Sequence, residues 1–242
     1  MIGRIIWLAI LLVFALVSSG VQLDREARKT PALALQVPEL FRSGAQPRLT
    51  VLAINSGAAE LGVAEAQKLV RRRPIPARHL RSLAQAQIIA GNNEASALAI
   101  QYAAQRGWRD SLTQEAMMRL ALAAGDRPEA ARRYAALFLN RRIKQTLLVE
   151  AGVAVFPDVG GEERAILAEI VAGSERWRSA FAARGAAVIP PSAFVEIVGQ
   201  SIADGAEFDC GSIAIAVGTL ARKDQNASKR LTLLTEPICP KR

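Results

Sequence analysis

The side chains that enzymes most often use are scarce in this sequence. Among 242 residues there is one histidine, His79, and there are two cysteines, Cys210 and Cys239. No C-x-x-C and no H-E-x-x-H spacing occurs, so no ligand set for zinc is in place. A G-x-S-x-G elbow is missing, and Gly160-Gly161-Glu162 reads as a helix-start turn rather than a phosphate loop. His79 stands beside Arg78 with Arg81 close by, and neighbouring cations disfavour its charged form. No metal, no cofactor and no catalysis are expected from this inventory. Aromatic residues reach only 5% and β-branched runs are short, whereas alanine is abundant. That balance suits closely packed helices better than a sheet.

What the chain does have begins at its N-terminus. Arg4 precedes an apolar run over residues 5–17, followed by Ser18-Ser19-Gly20. One cation, an apolar stretch and small residues make an export signal. Two readings stand: a signal cut near Ser18–Gly20, or a membrane anchor extending to Leu23. Residues 1–23 are therefore assigned to a signal peptide or transmembrane anchor, and 24–46, with Pro31 and Pro38, to a linker. An exported chain meets an oxidising compartment, so Cys210 and Cys239 are expected to pair as a disulfide. Closing that 29-residue loop would stabilise the fold by about 3–4 kcal/mol on the chain-entropy account. The net charge is +9. Outside the cytoplasm, the polyanions such a body meets are lipid headgroups, acidic polysaccharide or an acidic partner rather than nucleic acid.

Gly57, Gly91 and Gly125 recur every 34 residues, each after an apolar stretch and before an alanine-rich one. A glycine after an apolar helix is a stop signal, and its recurrence predicts a repeated two-helix unit. Helices are expected over 47–56, 58–72, 77–90, 93–106, 111–124, 128–139 and 144–156. The apolar faces assigned to them include Leu61, Leu80, Leu83, Ile88, Leu98, Tyr102, Leu112 and Leu120. Arg71, Arg72 and Arg73 close one helix before Pro74, and Arg141 and Arg142 are expected to cap another through the helix dipole. Beyond Gly161 the period is lost. Further helices are expected over 162–173, 175–184 and 191–204, then a nearly all-apolar, buried one over 210–220, and a last one over 226–235.

At Pro74, Ala84, Gly152, Gly62, Ala130, Ile100 and Tyr134 the chain resembles the tetratricopeptide-repeat family. Met118 stands where that pattern has a small residue, Arg164 where it has alanine, and the early tryptophan is missing. The resemblance implies an all-α, right-handed helical-hairpin solenoid over 47–157, with 158–242 as a C-terminal helical cap. It also implies that the first helix of each pair lines a concave, ligand-binding face. The ligand-facing positions fall on Arg78, Arg81 and Gln85, and on Glu115 and Arg119 in the next repeat. Guanidinium groups so placed can hold carboxylates bidentately.

The function expected is that of a non-catalytic periplasmic scaffold, in a bacterial inner membrane or released from it. It would bind a protein or peptide partner, an acidic one included, within a secretion, polysaccharide-export or envelope-biogenesis assembly. The alternative is a basic protein that binds acidic polysaccharide or anionic lipid, for which Arg132, Arg133 and Lys144 are further cations. A third reading places an active site among Asp204, Glu207 and Asp209, which requires a deep pocket there. Trp108 is expected to pack at an inter-repeat turn. No feature of the sequence bears on oligomeric state.

Overall fold

The computed structural model describes residues 2–239. Among these, 77% are helical and there is no strand, the outcome that an alanine-rich, aromatic-poor composition favours. The chain divides into two compact units, Met1–Gly107 and Trp108–Arg242. The first holds α1 (Ile2–Ala27), α2 (Gln46–Asn55), α3 (Ala59–Arg72), α4 (Ala77–Ile89) and α5 (Asn93–Arg106). In the second are α6 (Ser111–Ala123), α7 (Arg127–Phe138), α8 (Gln145–Val155), α9 (Glu162–Ala172), α10 (Glu175–Val188), α11 (Pro191–Ala203), α12 (Cys210–Ala221) and α13 (Gln225–Thr235).

The glycine interval marks turns. Gly57, Gly91 and Gly125 have φ of +74°, +76° and +75°, and an added Cβ would meet nothing at any of them. Glycine is needed there for backbone conformation alone. Gly185 does the opposite: it lies inside α10, which runs a turn beyond the expected end at 184. An added Cβ would come within 2.6 Å of the Phe194 ring, so this glycine is a site of close packing and not a stop.

In the first unit α2 pairs with α3 and α4 with α5, and α2 and α3 also pack on α4. Many of the residues buried along these helices are small. Gly62, Ala66 and Leu69 are inside on α3, and Ser96, Ala99, Ile100, Ala103 and Ala104 on α5. Several large residues assigned to the core lie outside instead: Leu61, Ile88, Leu98 and Tyr102, and Leu112 and Leu120 in the second unit. Helices that approach closely admit only small side chains between them, so bulk is displaced to the far face. Polar ties supplement this thin core. Gln46 Nε2 donates to Glu65 Oε2 (2.7 Å), and Thr50 Oγ1 and Gln46 Nε2 both donate to the Glu65 carbonyl (3.1 Å each). Burial pushes the Glu65 carboxyl up, but hydrogen bonds from Lys68 and Gln46 outweigh it and hold the group below its usual range.

Residues 24–46 are folded, not a spacer. α1 continues to Ala27, and the chain returns through 3₁₀ turns at Pro31–Gln36 and Glu39–Phe41 to pack on its last two turns. Ala27, Ala34, Val37, Ala45 and Leu49 make a small core of their own. Buried Asp24 fastens it, accepting from Gly44 N (2.9 and 2.7 Å) and Ala45 N (2.8 Å). The prolines that suggested a loose tether set 3₁₀ turns instead.

In the second unit α7, α9, α11 and α13 contact one another in succession, and so do α8, α10 and α12. These two layers enclose one hydrophobic core that runs from Met118 to Leu231, across position 157 without a break. Arg164 is only 1% exposed. It donates to the carbonyl of Phe156 (2.9 Å) and to Glu196 Oε2 (2.5 Å), while Glu196 Oε1 accepts from Gly160 N (2.7 Å). The turn between α8 and α9 is thus stapled to α11 by an ion pair between buried Arg164 and half-buried Glu196. Cys210 and Cys239 form the expected disulfide, with their Cα atoms 5.5 Å apart. α12, expected to be buried, turns only Ile213, Ala216 and Leu220 inward and leaves Ile215 exposed.

Candidate functional site

The first helices of the hairpins each keep one exposed arc. At 100° per residue, Arg78, Arg81, Gln85, Ile88 and Ile89 fall within about a third of the circumference of α4. Arg78, Gln85, Ile88 and Ile89 are exposed and Arg81 is half-buried, while Leu80, Ala84 and Gln87 turn inward. On α2, which packs directly on α4, Arg48, Val51, Leu52 and Asn55 occupy the same kind of arc and are all exposed. Each helix therefore offers guanidinium and aliphatic groups side by side. Sequence reasoning found Arg78 and Arg81 and missed Arg48, Val51, Leu52, Ile88 and Ile89. The available signal was that apolar residues in 46–55 and 77–89 surround the helix, more than a single buried stripe can absorb.

Arg119 belongs to α6, in the second unit. With Leu112 and Glu115 it shares the exposed arc of that helix. Its Nη2 and Nε donate to Glu115 Oε1 at 2.8 and 3.1 Å, an exposed i, i+4 pair of the kind worth about 0.3–0.5 kcal/mol. So weak a clamp leaves the guanidinium exchangeable toward an incoming carboxylate. Trp108 is half exposed.

His79 points inward beneath the α4 arc and is 2% exposed. Nδ1 carries the proton and donates to the Arg73 carbonyl (2.9 Å), which leaves Nε2 buried without a partner. Burial above all, and then the charges of Arg78 and Arg73, push its pKa below the usual value of 6.5. The imidazole is a spacer at the start of α4, out of a ligand's reach.

Many of the remaining cations have structural employment. Arg184, and not Arg141 or Arg142, caps α7, donating to the carbonyls of Phe138 (3.0 Å) and Ile143 (3.2 Å). Arg141 and Arg142 lie past the end of the helix at Phe138, in the following turn. Arg178 caps α9 at the Ala172 carbonyl (3.0 Å), and Lys223 caps α10 at those of Ala186 (3.1 Å) and Ala187 (2.5 Å). Arg132 and Arg133 share Glu129, at 3.3 and 2.6 Å.

A cavity of about 430 Å³ lies between α12 and α13 beside the disulfide, lined by Ile213, Ala214, Val217, Thr232 and Thr235. Asp204, Glu207 and Asp209 do not line it. Asp209 caps α12, accepting from Ser212 N (2.7 Å) and Oγ (2.9 Å), and those bonds hold its carboxyl below the usual range. Among the described residues no cluster of three or more His, Cys, Asp or Glu is placed to hold a metal ion. None of the family models, curated proteins or solved structures compared with this chain matches it.

Proposed function

We propose that this protein is a non-catalytic scaffold of the bacterial envelope that captures a protein or peptide segment on the exposed arcs of its first helices. The observation that carries the reading is the recurrence of one surface chemistry, arginine beside aliphatic, on α2, α4 and α6. An amphipathic segment bearing carboxylates suits it, with aliphatic side chains against Val51, Leu52, Ile88 and Ile89 and carboxylates against Arg78 and Arg81. We read the hairpins as a right-handed solenoid of the tetratricopeptide-repeat kind. The left-handed glycine turns and the buried small residues Gly62, Ala84 and Ala130 support that reading.

The scaffold is held in the inner membrane by α1 with its body in the periplasm. α1 is long and apolar enough to cross a bilayer, and the disulfide fits an oxidising compartment. Retention of α1 is supported by its continuity. The helix passes without interruption from its apolar stretch into the packed body, so a cut near Ser18–Gly20 would fall inside it. Gly20 itself is buried against Phe41, whose ring an added Cβ would approach to 2.5 Å.

The test is affinity capture of the full-length chain from solubilised envelopes, with its mature mass measured in the same sample. Replacing Arg78, Arg81 and Arg119 together with alanine is expected to abolish capture and leave the melting temperature unchanged. Undiminished capture by the triple variant would sink the proposal.

A further inference from the structure

The foot of α1 carries a second surface that the scaffold reading does not use. Beyond Val17, the exposed apolar stretch of α1 meets Gly20, on which the Phe41 ring lies. Three residues of helix place that contact only about 4.5 Å past Val17, at the level where a bilayer's hydrocarbon gives way to headgroups. Next to Phe41, Leu40 is 88% exposed, and Leu35 on the preceding turn is 69% exposed. Neither has a reason to be apolar in water.

Cations converge on the same place. Glu39 receives Lys68 and Arg72 of α3, each at 3.6 Å, and Arg72 Nη1 donates to the Arg42 carbonyl (2.7 Å). These contacts draw the basic end of α3, Arg71-Arg72-Arg73, to the Glu39–Phe41 turn. Over residues 24–42 and 65–73 there are eight cations and four acids, and two of those acids, Asp24 and Glu65, are buried. The remaining acids are engaged locally, Glu39 as described and Glu26 with Lys29 (3.8 Å). An apolar tip rimmed by arginine, level with the end of a crossing helix, matches the chemistry of a membrane interface.

We infer that the Glu39–Phe41 turn and the C-terminal turn of α3 form a docking surface for anionic phospholipid headgroups. Leu40 sits among the upper acyl carbons, and Arg71 and Arg73 face the phosphates. The inference rests on α1 being a retained anchor. Its consequence is orientational: the first unit is held down on the bilayer at a second point and cannot swing freely about α1.

The experiment places single spin labels on the full-length protein in nanodiscs, through Leu40→Cys, Phe14→Cys and Leu98→Cys. Both native cysteines are tied up in the disulfide, so only the new thiol reacts. Collision with oxygen marks lipid, and collision with a water-soluble nickel chelate marks solvent. The label at 14 is expected in lipid and that at 98 in water. The oxygen-to-nickel ratio at 40 should rise about threefold from phosphatidylcholine discs to equimolar phosphatidylcholine and phosphatidylglycerol. Arg71→Gln with Arg73→Gln should remove that rise. Lipid exposure at 14 with position 40 as wet as 98 overturns the docking surface and leaves the anchor standing. A wet label at 14, or a mature mass lacking the first segment, overturns the anchor, and the docking surface falls with it. Lipid exposure at 40 that ignores lipid charge overturns the headgroup assignment. Exclusion of both reagents at 40 means that protein covers it and overturns the lipid as occupant.

Discussion

The two units solve the same packing problem with different materials. The second is built around rings: Tyr134 meets Phe156 edge-on with centroids 5.2 Å apart, Phe138 stacks with Trp177 at 6.0 Å, and Phe181 stacks with Phe194 at 5.1 Å. Among the described residues of the first, no Phe, Tyr or Trp is fully buried. Its helices touch through Ala66, Ala84, Ala86, Ala99 and Ala103, and polar ties such as Gln46–Glu65 supplement them. A ring-filled core absorbs large side chains. A core of alanines brings backbones close and leaves large aliphatics outside, on the helices that would meet a partner. The difference teaches that the bulk of the core residues decides how much aliphatic surface a helix pair leaves outside.

If the second unit depends on its staple, Arg164→Ala should give the largest effect. Truncating this large buried side chain leaves a cavity and takes the donor from the Phe156 carbonyl, a loss of about 3–5 kcal/mol. Hydrogen exchange should show protection falling from α8 to α11, and unchanged exchange there would mean that the ring core holds without the staple. A smaller effect is expected in the first unit from Asp24→Ala, which orphans the N–H groups of Gly44 and Ala45 at about 1–3 kcal/mol. That loss should be local, with residues 31–45 exchanging faster while α4 and α5 keep their protection. Global unfolding of the first unit would instead show that α1 and the hairpins form one cooperative block.

The mildest test uses pH. The folded pKa of His79 is lowered, so the unfolded chain binds the proton more readily and folding favours the neutral ring. Its stabilising contribution is therefore complete above the unfolded value of 6.5 and is lost as pH falls from there through the folded pKa. Because this is the only histidine, its imidazole resonances report the titration directly. Titration at or above the ordinary value would show that the ring is not held neutral. The second unit contains no histidine and should lack this slope between pH 6.5 and the carboxylate range.

Helix positions were largely legible in the sequence. Gly57, Gly91 and Gly125 mark turns whatever surrounds them, and Pro74 and Pro191 fix helix boundaries through the proline ring alone. Which face of a helix is buried was less legible. Ile88 and Leu98 lie at core-like spacing, yet they sit outside because their neighbours on the close side had to be small. Of the candidate site, the arginines of α4 were reached through the repeat resemblance, and the aliphatics beside them were not. Arg164 marked a departure from the repeat pattern, but nothing local announced that Glu196, 32 residues away, would receive it.

By itself the sequence determined what depends on neighbours along the chain: helices, their stops and an apolar N-terminal segment. Tertiary structure alone decided what depends on meetings across the chain. Residues 24–46 became a folded clasp because Asp24 found the N–H groups of Gly44 and Ala45. Many cations serve carbonyls and acids within the fold, since helix ends need donors wherever they come to rest. Local propensity acts within a turn or two, whereas burial is settled only when distant surfaces compete for the same space.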